Sequence, residues 1–174
     1  MPKLILGLDP GLAALGYGVI EVQGRQMAPV ALGVLRTRKQ NGIAIGQDLT
    51  MRVGELARQL AALLDEHNPD EAAIEEFRYY GKSVTSSLQV ANVVGMLRES
   101  LRARDIPAAE YSARDIKRAV TGHANADKTQ VQKMVRLLLG MKELPRPAHA
   151  ADALAAAITH AARIPIRRLS GATP

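Results

Sequence analysis

A chain of 174 residues that is 47% hydrophobic is long enough for one domain around one core and too apolar to be disordered. It has no cysteine, which excludes a disulfide framework and thiolate metal sites, and no apolar stretch of roughly 18 residues, which excludes a transmembrane helix. The net charge of +6 and pI near 9.9 suit a polyanionic partner, and the expected location is the cytoplasm.

Lys3 to Asp9 encloses the apolar run Leu4-Ile5-Leu6-Gly7-Leu8, the pattern of a strand buried on both faces rather than a signal peptide. The Pro10-Gly11 turn leads into a second strand, Gly16 to Val22, predicted to form a hairpin with the first. Residues 28–36 form a third strand. Leu49, Val53, Leu56, Leu60 and Leu63 then recur at helical spacing, with Arg52, Glu55, Arg58 and Gln59 between them, and Asn68-Pro69 stops that helix. Residues 71–75 make the fourth strand.

A loop over 76–82 precedes a helix from Val84 to Arg104, which ends at Asp105-Ile106-Pro107, and 108–111 is a short fifth strand. Ser112 is placed to cap a helix to Val120, and Asp127 another ending near Gly140. Pro145 and Pro147 introduce a last helix, with Pro147 suited to its first turn. The order predicts an α/β fold: a five-stranded mixed sheet flanked by helices on both faces. One domain is expected over 1–164, with 165–174, which holds Pro165, Gly171 and Pro174, as a flexible C-terminal tail.

Four residues suggest one metal site. Asp9 and Glu75 each end an apolar strand, where a carboxylate is costly unless a positive group compensates it. His149 and Asp152, three apart, share one face at the start of an alanine-rich helix, where the helix dipole favours carboxylate and a neutral imidazole. Hard divalent cations such as Mg²⁺ prefer such oxygen-rich donor sets. Taken singly, these residues also fit turn chemistry, an exposed loop start or helix-end electrostatics.

From Ser112 to Lys142 seven basic residues face only Asp115 and Asp127, a net +5 fit for a phosphate backbone. Within it Lys117 and Lys128 stand on either side of a Gly122 turn, placed to grip phosphates, with Arg114 a weaker candidate. Three of the five aromatic residues, Phe77, Tyr79 and Tyr80, follow Glu75 directly, beside Arg78 and Lys82. Aromatic rings there suit stacking on unpaired bases, although one or two would equally anchor the loop.

These motifs resemble the RuvC family of bacterial Holliday-junction resolvases. Leu6-Gly7-Leu8-Asp9-Pro10-Gly11 with Gly16-Tyr17-Gly18-Val19-Ile20 resembles its opening, and Ala73-Ile74-Glu75-Glu76-Phe77 its second acidic motif. Ala113-Arg114-Asp115-Ile116-Lys117 with Asp127-Lys128-Thr129-Gln130-Val131 resembles its basic segment. His149-Ala150-Ala151-Asp152 with Ile158-Thr159-His160 resembles its closing helix.

The resemblance implies a ribonuclease-H-like fold, a homodimer, and Mg²⁺-dependent hydrolysis of DNA phosphodiesters by paired symmetric nicks in four-way junctions, in homologous recombination and repair. It implies Asp9, Glu75 and Asp152 as site carboxylates, with His149 where many members have Asp. Two ions about 3.5–4 Å apart would do the chemistry, bridged by Asp9, with Glu75 on one, Asp152 on the other, and His149 as ligand or base; Mn²⁺ would substitute. It also implies the RuvA–RuvB branch-migration complex as a partner and activity at the nucleoid. Competing readings are an ATPase of the actin and sugar-kinase type, which needs two such domains, a junction-binding protein without cleavage, and a related nuclease acting on RNA.

Overall fold

The computed structural model describes residues 2–77 and 84–164. Its elements are β1 (Lys3–Asp9), β2 (Ala14–Gln23), β3 (Gln26–Arg36), α1 (Ile45–His67), β4 (Glu71–Glu75), α2 (Val84–Arg102), β5 (Ala108–Tyr111), α3 (Ala113–Thr121), α4 (Lys128–Leu138) and α5 (Ala148–Arg163). The strands join in the order β3-β2-β1-β4-β5. β1, β2 and β3 pair antiparallel, while β4 and β5 add in parallel beyond β1. The mixed sheet with helices on both faces is therefore as the sequence implies; the predicted tail, 165–174, lies outside the described residues.

Strand alternation divides the core in two. Leu6, Leu8, Leu15, Val19, Ala72 and Ile74 point to the face covered by α1 and α2, through Leu56, Leu60, Leu64, Val93 and Leu97. Ile5, Ile20, Val22 and Ala73 point to the other, covered by α3, α4 and α5. β1 is buried on both sides, which explains its unbroken apolar run.

α5 lies unusually close to the sheet, and small residues on both surfaces allow it. Gly7 pairs with Gly18, and Asp9 with Gly16, across β1 and β2. A Cβ on Gly7 would run into the Ala153 carbonyl, and one on Gly16 into the carbonyl of His149. The facing surface of α5 is alanine, with Ala150, Ala153 and Ala157 fully buried. Any larger side chain at these positions would lift α5, and His149 with it, off the end of β1.

The caps fall where the sequence places them. The Ser112 hydroxyl accepts the Asp115 N–H at 3.2 Å, Gly122 closes α3 at φ +80°, and Asp127 with Gln130 forms a capping box on α4. Pro147 is the N-cap of α5 rather than a residue of its first turn, its carbonyl accepting from Ala150 at 3.0 Å.

Two polar residues of α1, Asp48 and Arg52, turn inward. Arg52, grouped by spacing with the polar residues between the leucines, is only 8% exposed. Its Nε donates to Thr37 Oγ1 at 2.9 Å and its Nη1 to Asp48 Oδ2 at 3.3 Å, while Thr37 donates to the Leu12 carbonyl at 2.6 Å. A guanidinium paired with a carboxylate can be buried where an unpaired one cannot.

Candidate active site

β1 and β4 are parallel neighbours, with Leu8 opposite Ile74, so the residues that follow, Asp9 and Glu75, emerge side by side at one edge of the sheet. The first turn of α5 crosses the same edge. His149 Nδ1 lies 2.6 Å from Asp9 Oδ2, and one donor atom from each of Asp9, His149 and Asp152 falls within 4.8 Å of the others. Glu75 stands outside that trio but lines the same cavity of about 300 Å³, whose other charged residues are Lys117 and Lys128. Val131 and Ala155 form part of its apolar wall. All four sequence-predicted ligands are thus gathered by the fold.

The electrostatics are those of carboxylates crowded together. Burial pushes Glu75 up to about 7, reinforced by the charges of Asp9 and Asp152 and opposed by Lys128 and Lys117. Burial likewise raises Asp9; the His149 hydrogen bond pulls it back and Asp152 adds to the rise. Lys128 Nζ donates to Asp152 Oδ2 at 2.8 Å, and that bond holds the ammonium pKa above its ordinary value. Three carboxylates and one imidazole form a hard, oxygen-rich donor set with more negative charge than the protein neutralises, which fits a divalent cation.

A stability effect follows. Because Glu75 titrates near 7 in the folded protein and near 4.5 when free, the native state retains a proton that the unfolded chain releases between those values. Its contribution is full below about pH 4.5 and is lost as pH rises through 7. Melting of metal-free protein is expected to fall across that window by at most roughly 10 °C, reflecting at most about 3 kcal/mol. Glu75→Gln should flatten the slope, and a divalent cation at pH 7.5 should raise the wild-type melting temperature. A wild-type slope of zero between pH 4.5 and 7 would contradict the crowding.

The remaining sequence candidates divide. Lys117 on α3 lines the cavity, and Lys128 at the start of α4 reaches into it. Arg114 is exposed on α3 and does not line it. Phe77 is half-buried beside an adjoining cavity of about 190 Å³ that it shares with Asp9, Glu75 and Val90. Arg78, Tyr79, Tyr80 and Lys82 lie outside the described residues. A larger cavity, about 500 Å³, lies between the β2–β3 hairpin and the end of α4, but its only ionisable lining residues are Glu21 and Arg25, so it gathers no donor set.

Sequence reading missed a polar chain on the same face of the sheet. Lys3 Nζ donates to Glu71 Oε1 at 2.7 Å, His160 Nε2 lies 2.9 Å from Glu71 Oε2, and the Tyr111 hydroxyl lies 2.7 Å from His160 Nδ1. It ties β1, β4 and β5 to the far half of α5 and so fixes the helix that carries His149 and Asp152. Its members are too far apart in sequence for any local pattern to reveal it.

The family described as Crossover junction endodeoxyribonuclease RuvC matches residues 5–160. A curated relative of that name from Brevibacillus brevis is 37% identical over 157 residues, covering 90% of both chains. One from Chloroflexus aggregans is 41% identical over 160 residues, covering 92% of this chain and 93% of the relative. The solved structure of Thermus thermophilus RuvC in complex with Holliday junction substrate superposes with a TM-score of 0.80 at 32% identity, covering 91% of this chain and 93% of that one. No described helix is long and apolar enough to cross a membrane. With residues 5–160 matched by the family model and a curated relative 37% identical over 90% of its length, the chain belongs to the RuvC family of crossover junction endodeoxyribonucleases.

Proposed function

We propose that the protein resolves four-way DNA junctions by Mg²⁺-dependent hydrolysis of phosphodiesters, making paired symmetric nicks as a homodimer, with two ions held by Asp9, Glu75, His149 and Asp152. The observation that carries this reading is the convergence of the Asp9, His149 and Asp152 donors within 4.8 Å, with Glu75 lining the same cavity between two lysines. When bound, the ions supply neutralisation of the phosphoryl oxygens, an activated water and a stabilised leaving alkoxide.

The protein's own groups do the rest. Asp9, at the centre of the cluster and the end of a strand buried on both faces, is the carboxylate best placed to serve both ions. Glu75 and Asp152 approach from β4 and α5. The His149 imidazole is held against Asp9, which orients it as a ligand or as a base for water. Lys117 and Lys128 flank the cavity and would hold phosphates beside the scissile bond. Phe77 borders the carboxylates and would stack on a base opened at the junction centre, and Arg78, Tyr79, Tyr80 and Lys82, which follow it in sequence, are further candidate DNA contacts.

A two-fold dimer suits a nearly two-fold substrate that must be cut twice. Exposed Ile45, Met51, Val84 and Leu88 on α1 and the start of α2 offer an apolar face for self-association. The family points to the RuvA–RuvB complex as partner and to chromosomal DNA in the cytoplasm as the setting, with Mn²⁺ able to replace Mg²⁺.

The test is addition of Mg²⁺ to the protein bound to a synthetic four-way junction with each strand labelled in turn, with sedimentation equilibrium for the dimer. Nicks at symmetric positions in one pair of strands are expected. A junction bound but left intact with Mg²⁺ and with Mn²⁺ would make the protein a binding module instead. In gel shifts with Ca²⁺ present over a range of salt, Lys117→Ala and Lys128→Ala should each weaken junction binding and reduce the log–log salt slope by about one unit. Unchanged slopes for both would move the DNA path off this flank.

A further inference from the structure

The Lys128 ammonium shares a carboxylate with the metal site. Its Nζ donates to Asp152 Oδ2 at 2.8 Å, across 24 positions of sequence. The backbone that delivers it is held firmly: Lys128 is the first residue of α4, behind the Asp127–Gln130 capping box, and α4 packs on α5 through Val131 and Val135. Its charge also acts on Asp9 and Glu75, so one ammonium faces all three carboxylates of the cluster. Lys117 lines the same cavity but, among the described residues, forms no ion pair with any of them. The two lysines that flank the site are therefore not equivalent.

We propose that Lys128 is the resident counter-cation of the metal-free site, yielding Asp152 when a divalent ion enters and so freeing its ammonium for a DNA phosphate. This rests on the metal-site reading above and adds an order of events to it. A divalent ion on the Asp152 oxygen that Lys128 holds would lie within about 5 Å of the ammonium, and like charges at that separation repel in a partly buried cavity. The half-exposed Lys128 side chain has open space to withdraw into, being 56% exposed against 23% for Asp152. One residue thus serves two states. Metal loading and backbone capture become coupled, and the coupling is reciprocal.

The experiment is calorimetric titration of Mn²⁺ into metal-free, DNA-free protein, comparing wild type with Lys128→Met, Lys117→Met and Asp152→Asn. Methionine keeps the stem of a half-exposed side chain, so folding is not at issue, and each melting curve checks it. Lys128→Met should bind Mn²⁺ more tightly, on the order of fivefold, the worth of an ion pair with one half-exposed partner. Lys117→Met removes the same charge without an ion pair and should gain less than about twofold; Asp152→Asn should bind more weakly than wild type.

If Lys128→Met binds no tighter than wild type, or no tighter than Lys117→Met, while Asp152→Asn is weakened, the exchange is wrong and the metal site stands. If Asp152→Asn binds as wild type does, the site itself is wrong and this proposal goes with it. A second arm measures anisotropy of a labelled four-way junction with and without Ca²⁺. The gain in junction affinity on adding Ca²⁺ should be smaller in Lys128→Met than in wild type, and an equal gain in both would overturn the release of Lys128 to DNA.

Discussion

Asp9→Asn and Glu75→Gln are each expected to reduce cleavage of a four-way junction by well over a hundredfold while leaving junction binding intact or tighter. Loss of a group that merely orients a metal ligand typically costs ten- to a hundredfold, so loss of a ligand itself should cost more. The direction on binding comes from the cavity's charge. Asp9, Glu75 and Asp152 crowd together closely enough that burial and mutual repulsion push Glu75 up to about 7 and raise Asp9. Removing one negative charge relieves repulsion of an incoming phosphate, so binding should persist as catalysis fails. Single-turnover nicking and gel shifts on one junction, with matched melting curves, read both effects. A variant that cleaves within a fewfold of wild type would remove its residue from the site.

The second large effect is expected at His149. His149→Ala should slow single-turnover cleavage by roughly a hundredfold or more, the usual worth of a positioned acid–base group. His149→Asp, which gives the cluster a fourth carboxylate, should keep substantial activity with Mg²⁺. The pair of variants separates two roles: helix-end packing would be insensitive to both, whereas a ligand or base would be lost in the alanine variant and replaced in the aspartate one. The short contact between His149 and Asp9 makes the packing role testable by stability as well. A wild-type rate in His149→Ala would leave that contact as structure alone.

Much of this was legible in local pattern. The five strands follow from short apolar runs bounded by Pro-Gly, Asn-Pro and Ile-Pro breaks, and the caps of α3 and α4 from Ser112, Asp127 and Gln130 at the required offsets. The strand-end positions of Asp9 and Glu75 and the shared helix face of His149 and Asp152 were readable because strand and helix periods are local geometry. Their union in one site was suggested by their shared donor chemistry and strengthened by the resemblance, not by local pattern, since nothing local says that β4 lies beside β1 or that α5 crosses their ends.

The sequence by itself determined the elements, the carboxylates available to a cation and the basic segment that would meet a phosphate backbone. Tertiary structure alone decided the partners. Arg52 was read with the polar residues of α1, yet it is buried, because Thr37 in a loop 15 positions away adds an acceptor to the local one from Asp48. Lys128 was read as a phosphate contact, and the fold also sets its ammonium on Asp152, 24 positions away. The Lys3–Glu71–His160–Tyr111 chain has no sequence signature at all. The physical reason is common to all three. Periodicity and capping depend on residues within a few positions, whereas a charge chooses among distant partners by separation and burial, and for Lys128 and His160 those exist only once Gly7 and Gly16 have let α5 settle onto the sheet.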